Sequence, residues 1–103
     1  MLGVAYKGRQ ISLKKAYESL REDKPVQAKL QPEPDNDYNQ HAIAVFINYH
    51  SGWEKVGYIA RELTSDLHPF LERNNLKTTV AHICFRVNYL QVGYLLTLII
   101  TKQ

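Results

Sequence analysis

Between Gln31 and Gln40 the chain spends ten residues on two prolines, two asparagines and two aspartates, and then runs directly into the apolar segment Ala42-Ile43-Ala44-Val45-Phe46-Ile47-Asn48. Proline and short polar side chains favour turns over any regular element, so residues 31–40 must form a structured loop. The apolar run beyond it is too short for a helix in this setting and reads as a strand buried on much of both faces. Tyr49-His50-Ser51-Gly52 turns the chain, and Trp53 to Ile59 returns as the partner strand of a hairpin. A charged helix start follows at Arg61-Glu62-Leu63.

The rest of the chain fits around that hairpin. Val4 to Tyr6 is a short strand candidate. Ser12 reads as a helix N-cap, with Leu13, Ala16, Tyr17 and Leu20 at helical spacing. That helix ends before Pro25, because proline disfavours helical geometry in the residue ahead of it. Val26 to Leu30 alternates apolar and polar, as a half-buried strand does. A second helix opens at Thr64 or Arg61 and carries Leu63, Leu67, Phe70 and Leu71 on one face. Asn74-Asn75 stops it. Lys77 to Asn88 and Tyr94 to Lys102 read as two long strands around a turn near Leu90 to Gly93. The expected order is therefore β-α-β-β-β-α-β-β. Antiparallel hairpins joined into a small barrel or strongly curled sheet would leave no exposed edge.

At 103 residues the chain holds one domain, spanning residues 1–103. No apolar run approaches the roughly 20 residues of a membrane-spanning helix, and the start MLGVAYKGRQ lacks the layout of a secretory signal. An intracellular protein is expected, in cytoplasm, nucleoid or nucleus according to its source. The single cysteine, Cys84, cannot form an internal disulfide and fits a buried thiol in a strand. The net charge of +3 is uneven: +4 over residues 1–30, −3 over 31–40, −1 over 41–76 and +3 over 77–103. Basic ends and an acidic centre by themselves argue only weakly for a nucleic-acid partner.

Nothing in the chain makes a catalytic set. His41, His50, His68 and His82 share no metal spacing, and Glu33, Asp35 and Asp37 are better explained by turn formation than by cation binding. There is no Gly-rich phosphate loop and no nucleophile elbow. The expectation is a protein that is not an enzyme and needs neither cofactor nor metal. A binding surface is easier to argue: seven tyrosines, three phenylalanines and one tryptophan are many for this length. Single-stranded nucleic acid is held by aromatic platforms beside positive charge. Tyr38, Tyr58 and Tyr94 fall at loop or strand edges, where Arg61 and Lys7 would supply the charge. Tyrosine equally suits half-buried strands, with its ring packed and its hydroxyl in water.

Two segments carry a resemblance. Pro34-Asp35-Asn36-Asp37-Tyr38-Asn39-Gln40-His41-Ala42-Ile43-Ala44-Val45 and Val56-Gly57-Tyr58-Ile59-Ala60-Arg61-Glu62-Leu63, in that order and at that distance, resemble the HIRAN domain. The resemblance runs from Val4 to about Thr101, more loosely outside those segments. It implies an OB-related β-barrel that holds single-stranded DNA at a free 3′ end, in replication or repair, often fused to or working with a helicase or nuclease.

Carried over residue by residue, Tyr38 would pack on the terminal sugar or base. Asn39 stands where the family usually has Asp, whose carboxylate suits a free 3′ hydroxyl; the amide accepts more weakly and no longer repels an internal phosphate. Tyr58 stands where some members have a phosphate-contacting histidine, and Arg61 matches the basic residue at the helix start. Tyr6 and Tyr94 correspond loosely to aromatic stackers of the first strand and last hairpin. On structural readings of the same residues, Asn36 shapes the loop, Tyr38 pins it against the barrel, and Arg61 pairs with Glu62 and Asp66. A second function stays open, a protein-interaction module that kept the barrel and lost the DNA pocket.

Overall fold

The computed structural model describes residues 2–6, 9–49, 52–73, 76–87 and 92–102. Eight elements follow the expected order: β1 (Leu2–Tyr6), α1 (Gln10–Arg21), β2 (Gln27–Pro32), β3 (Ile43–Asn48), β4 (Trp53–Tyr58), α2 (Arg61–Glu72), β5 (Leu76–Val87) and β6 (Val92–Lys102). All strand pairs are antiparallel, in two three-stranded sheets of order β1-β6-β5 and β2-β3-β4. The turns expected at His50-Ser51, at Asn74-Asn75 and near Leu90 lie outside the described residues, as does the side chain of Cys84 in β5.

The expected closed barrel is not formed, because among the described residues no ladder joins one sheet to the other. Edge strand β2 of one sheet runs beside edge strand β5 of the other, and the inner faces of the two sheets share one core. Ile43, Val45 and Ile47 of β3 and Val56 of β4 form one cluster with Ile83 of β5 and Leu96, Leu98 and Ile100 of β6. The spacing of two in Leu96, Leu98 and Ile100 is what a strand needs to aim one side inward. Leu13 and Ala16 of α1 and Leu67 of α2 complete the cluster, with Leu63 and Leu71 partly buried against it.

Helix α1 corrects one expectation. Its N-cap is Arg9, which makes no side-chain cap bond. Ser12 is the third helical residue, buried, and its hydroxyl donates to Glu54 Oε2 on β4 at 2.7 Å. Two features hold the start of α1: Arg9 N donates to Val56 O at 2.7 Å, and Leu13 N to Arg9 O at 3.0 Å. At the other end Asp23 takes φ 60°, Asp23 N donates to Leu20 O (3.1 Å) and Lys24 N to Ser19 O (2.9 Å). These paired bonds around a left-handed residue are a Schellman stop, so the helix has ended before Pro25.

Helix α2 opens at Arg61, one of the two expected starts, with Thr64 Oγ1 donating back to Arg61 O at 2.9 Å. No α2 side chain caps its N-terminal amides, and Pro69 sits inside the last turns. No helix among the described residues is long and apolar enough to cross a membrane.

Candidate nucleic-acid interface

The loop that leads into β3 is built by its own polar side chains. Its base is closed by Glu33 N donating to Ala42 O at 2.9 Å. Asn36 Oδ1 accepts from Tyr38 N (2.9 Å) and Asn39 N (3.0 Å), while its Nδ2 donates to Glu33 Oε1 (3.1 Å). One residue type supplies both halves of this arrangement because an Asn side chain can mimic a turn of backbone. Asn39 repeats the device: its Oδ1 accepts from His41 N at 2.9 Å and its carbonyl from Ala42 N at 3.0 Å. A loop held this way carries Tyr38 outward, and the ring is 97% exposed. Tyr38 therefore does not pin the loop against the body of the domain.

Facing the loop is the junction of β4 and α2. Together they line a cleft of about 560 Å³ whose walls include Asp35, Asn36, Asp37, Tyr38, Asn39, Tyr58 and Arg61. Four residues expected at a site, Tyr38, Asn39, Tyr58 and Arg61, are thus brought together from a loop, a strand end and a helix start. Arg61 is exposed and has no ion-pair partner among the described residues, so the pairing with Glu62 or Asp66 is not made. Its guanidinium stands at the N-terminus of α2, where backbone amides and the helix dipole also favour an anion. A second cleft of about 660 Å³ lies on the other side of Asn39 and Arg61, between the loop and α2. There His68 Nε2 lies 2.8 Å from His41 O, with the two rings edge-on at 5.9 Å.

Tyr58 is more constrained than its sequence position suggests. Its hydroxyl donates to Glu33 Oε1 at 2.9 Å and accepts from Lys55 Nζ at 3.2 Å, and Lys55 Nζ reaches Glu33 Oε2 at 2.6 Å. The bonded Lys55 ammonium holds the Glu33 carboxyl below the usual carboxylate range, against a smaller opposing effect of burial; the Asn36 amide and Tyr58 hydroxyl add to it. Glu33 in turn keeps Lys55 charged to higher pH than an ordinary lysine. Neither Lys55 nor Glu33 was expected at the site. The signal that would have found Lys55 is a β-bulge, which alternation along the strand cannot reveal.

The remaining expected residues are placed otherwise. Tyr94 lies in β6, on the other sheet, with its ring against Phe85 (5.0 Å between centroids) and Tyr17 (5.4 Å). Its backbone is clamped by the Gln10 amide, which donates to Tyr94 O (3.1 Å) and accepts from Tyr94 N (2.7 Å). It does not line the cleft that holds Tyr38 and Arg61. Tyr6 pairs with Leu96 in the β1–β6 ladder, its side chain outside the described ones, and Lys7 lies outside the described residues altogether. Among the described residues no three His, Cys, Asp or Glu side chains gather as a cation site.

The fold is a small two-sheet domain with a cleft between one structured loop and one helix start. The family model of the HIRAN domain matches residues 2–96 of the 103, and the chain belongs to the HIRAN domain family. This is a family of DNA-binding domains. No curated protein and no solved structure matches the chain.

Proposed function

We propose that the chain binds single-stranded DNA non-catalytically, with the end of the strand in the cleft between the residue 33–42 loop and the junction of β4 and α2. The observation that carries this reading is the pair formed by Tyr38 and Arg61: one ring almost wholly in solvent and one guanidinium without an ion-pair partner among the described residues, lining the same cleft. A base or sugar stacks on the ring while a phosphate pairs with the guanidinium and the helix amides. Tyr58 is the hydrogen-bonding edge of the same wall. Few cations line the cleft, so the salt dependence is shallow, at about 0.7 in log–log slope for each phosphate contacted. The reading places the protein inside a cell, in replication or repair, beside a helicase or nuclease.

Recognition of a free 3′ hydroxyl is the finer part of the proposal, and Asn39 decides it. Its Oδ1 already accepts one backbone bond. A second lone pair remains for a hydroxyl, without the charge assistance a carboxylate gives. Fluorescence anisotropy of a short labelled single strand, ending in either a 3′ hydroxyl or a 3′ phosphate, tests both parts. Tighter binding of the hydroxyl form is the expected result. Equal binding means a general single-strand groove. Absence of binding to either at low salt overturns the DNA reading. It would leave the second one, a protein-interaction module, which the uncharged Asn39 and the neutralised Lys55 favour.

A further inference from the structure

The outer face of the β2-β3-β4 sheet presents an alternating row of aromatic rings and ammonium groups. Lys29, Phe46 and Lys55 are direct cross-strand neighbours. Lys29 Nζ lies 4.5 Å from the centroid of the Trp53 ring and 5.5 Å from that of Phe46. Lys55 Nζ lies 6.0 Å from Phe46 and 5.2 Å from Tyr58. The spatial order is therefore Trp53, Lys29, Phe46, Lys55, Tyr58. The last of these lines the cleft described above, so the row begins where the site ends. Trp53 is 40% exposed and Tyr58 43%. Lys29 has no ion-pair partner among the described residues.

Lysine stems often cover aromatic rings on a sheet surface, and at exposed sites each such contact contributes little, about 0.5–1 kcal/mol. This row sets two such cations among three rings in one line. A surface with that repeat matches a polymer that carries a flat base and a negative phosphate in every unit. Lys55 is neutralised by Glu33, so Lys29 is the cation this row offers a polyanion, and the position of the row continues the cleft.

We propose that this face is a second stretch of the DNA site, a track over which the nucleotides upstream of the bound end pass from Tyr58 towards Trp53. The inference rests on the single-strand reading of the cleft. Upstream bases stack on Phe46 and Trp53, and Lys29 meets the phosphate between them. From Tyr58 to Trp53 the strand covers on the order of 16 Å, so strands confined to the cleft do not reach Lys29.

Anisotropy with oligothymidines of about four and about ten nucleotides, both ending in a free 3′ hydroxyl, tests the track separately from the cleft. The longer strand is expected to bind the unmodified protein at least tenfold more tightly. Lys29→Gln, which removes the ammonium, and Trp53→Ala should each cut that gain severalfold and leave the four-nucleotide affinity unchanged. Lys29→Gln should also lower the log–log salt slope for the longer strand by about 0.7. Binding of the short strand with no gain on lengthening overturns the track alone. A length gain that survives both substitutions, in variants whose thermal melts show them folded, overturns it too. If neither strand binds, the cleft reading fails and the track with it.

Discussion

Lys55 and Tyr58 are three residues apart on β4, yet they share a face, with Lys55 Nζ 3.2 Å from the Tyr58 hydroxyl. In a regular strand an odd separation puts side chains on opposite faces. The β3–β4 register explains the exception: Val45 pairs with Gly57 and Phe46 with Lys55, so Val56 is an extra residue on β4. The bulge shifts the phase by one. It also frees the Val56 carbonyl, which accepts Arg9 N at 2.7 Å. Glu33 then bridges the two side chains that the bulge has aligned.

Glu33 neutralises Lys55 beside Tyr58, which lines the cleft, so Glu33→Gln should strengthen DNA binding. The amide keeps one acceptor oxygen for these donors, frees the Lys55 charge and no longer repels phosphate. We expect a gain of about three- to tenfold at low salt that shrinks as salt screens it, measured by anisotropy. The sign of the pH dependence follows from the depressed Glu33 pKa. Its charge persists from neutral pH down past the ordinary carboxylate value of about 4.3, so the advantage of the variant should stay constant between about pH 5 and pH 8.

Tyr38→Ala and Arg61→Ala should weaken single-strand binding and leave the fold alone. Loss of one stacking platform costs about 1–3 kcal/mol, or roughly 5- to 150-fold in affinity. Arg61→Ala should in addition reduce the salt slope by about 0.7. Since Tyr38 is 97% exposed and Arg61 is unpaired among the described residues, melting temperatures should stay close to that of the parent. Calorimetry beside anisotropy checks the separation, and a large fall in melting temperature would assign these residues to structure.

The Ser12–Glu54 bond should matter for stability and not for DNA. The Glu54 carboxylate accepts from the Ser12 hydroxyl at 2.7 Å and the Tyr49 hydroxyl at 3.0 Å. Those two bonds, that of Ser12 foremost, hold its pKa down. A carboxyl depressed in the folded state contributes stability above its unfolded pKa, and that contribution is lost as pH falls through the folded value. Glu54→Gln should therefore flatten the acid side of the stability profile, below about pH 4.3. Ser12→Ala should cost about 1 kcal/mol at neutral pH, a drop of roughly 4–8 °C in melting temperature for a domain this small.

Asp23 occupies the left-handed stop of α1 at φ 60°, a position glycine fills without steric conflict between Cβ and backbone. Asp23→Gly should be neutral to stabilising, by up to about 1 kcal/mol, although glycine elsewhere in a helix costs about that much. A chemical-denaturation midpoint that falls instead would show that the aspartate side chain, not the backbone, holds the stop.

What the sequence determined was local. The order of eight elements, and most of their ends to within a residue or two, follow from periodicity and from Pro25, because these signals act between near neighbours. The Asn36-centred loop and its exposed Tyr38 were legible for the same reason: an Asx turn closes over two or three residues. Tyr38, Asn39, Tyr58 and Arg61, grouped by motif order, line one cleft. The tertiary structure decided the rest, through pairings between residues far apart in the chain. Ser12 looked like a cap because its partner, Glu54, is 42 residues away. Tyr94 looked like a stacker until the Gln10 amide and the rings of Tyr17 and Phe85 took it up. Whether two edges pair is likewise a long-range matter: β2 and β5 lie side by side, yet no ladder joins them among the described residues. Lys55 reached the hydroxyl of Tyr58 through one unpaired residue in a ladder, a register that belongs to two strands at once and so is written in neither.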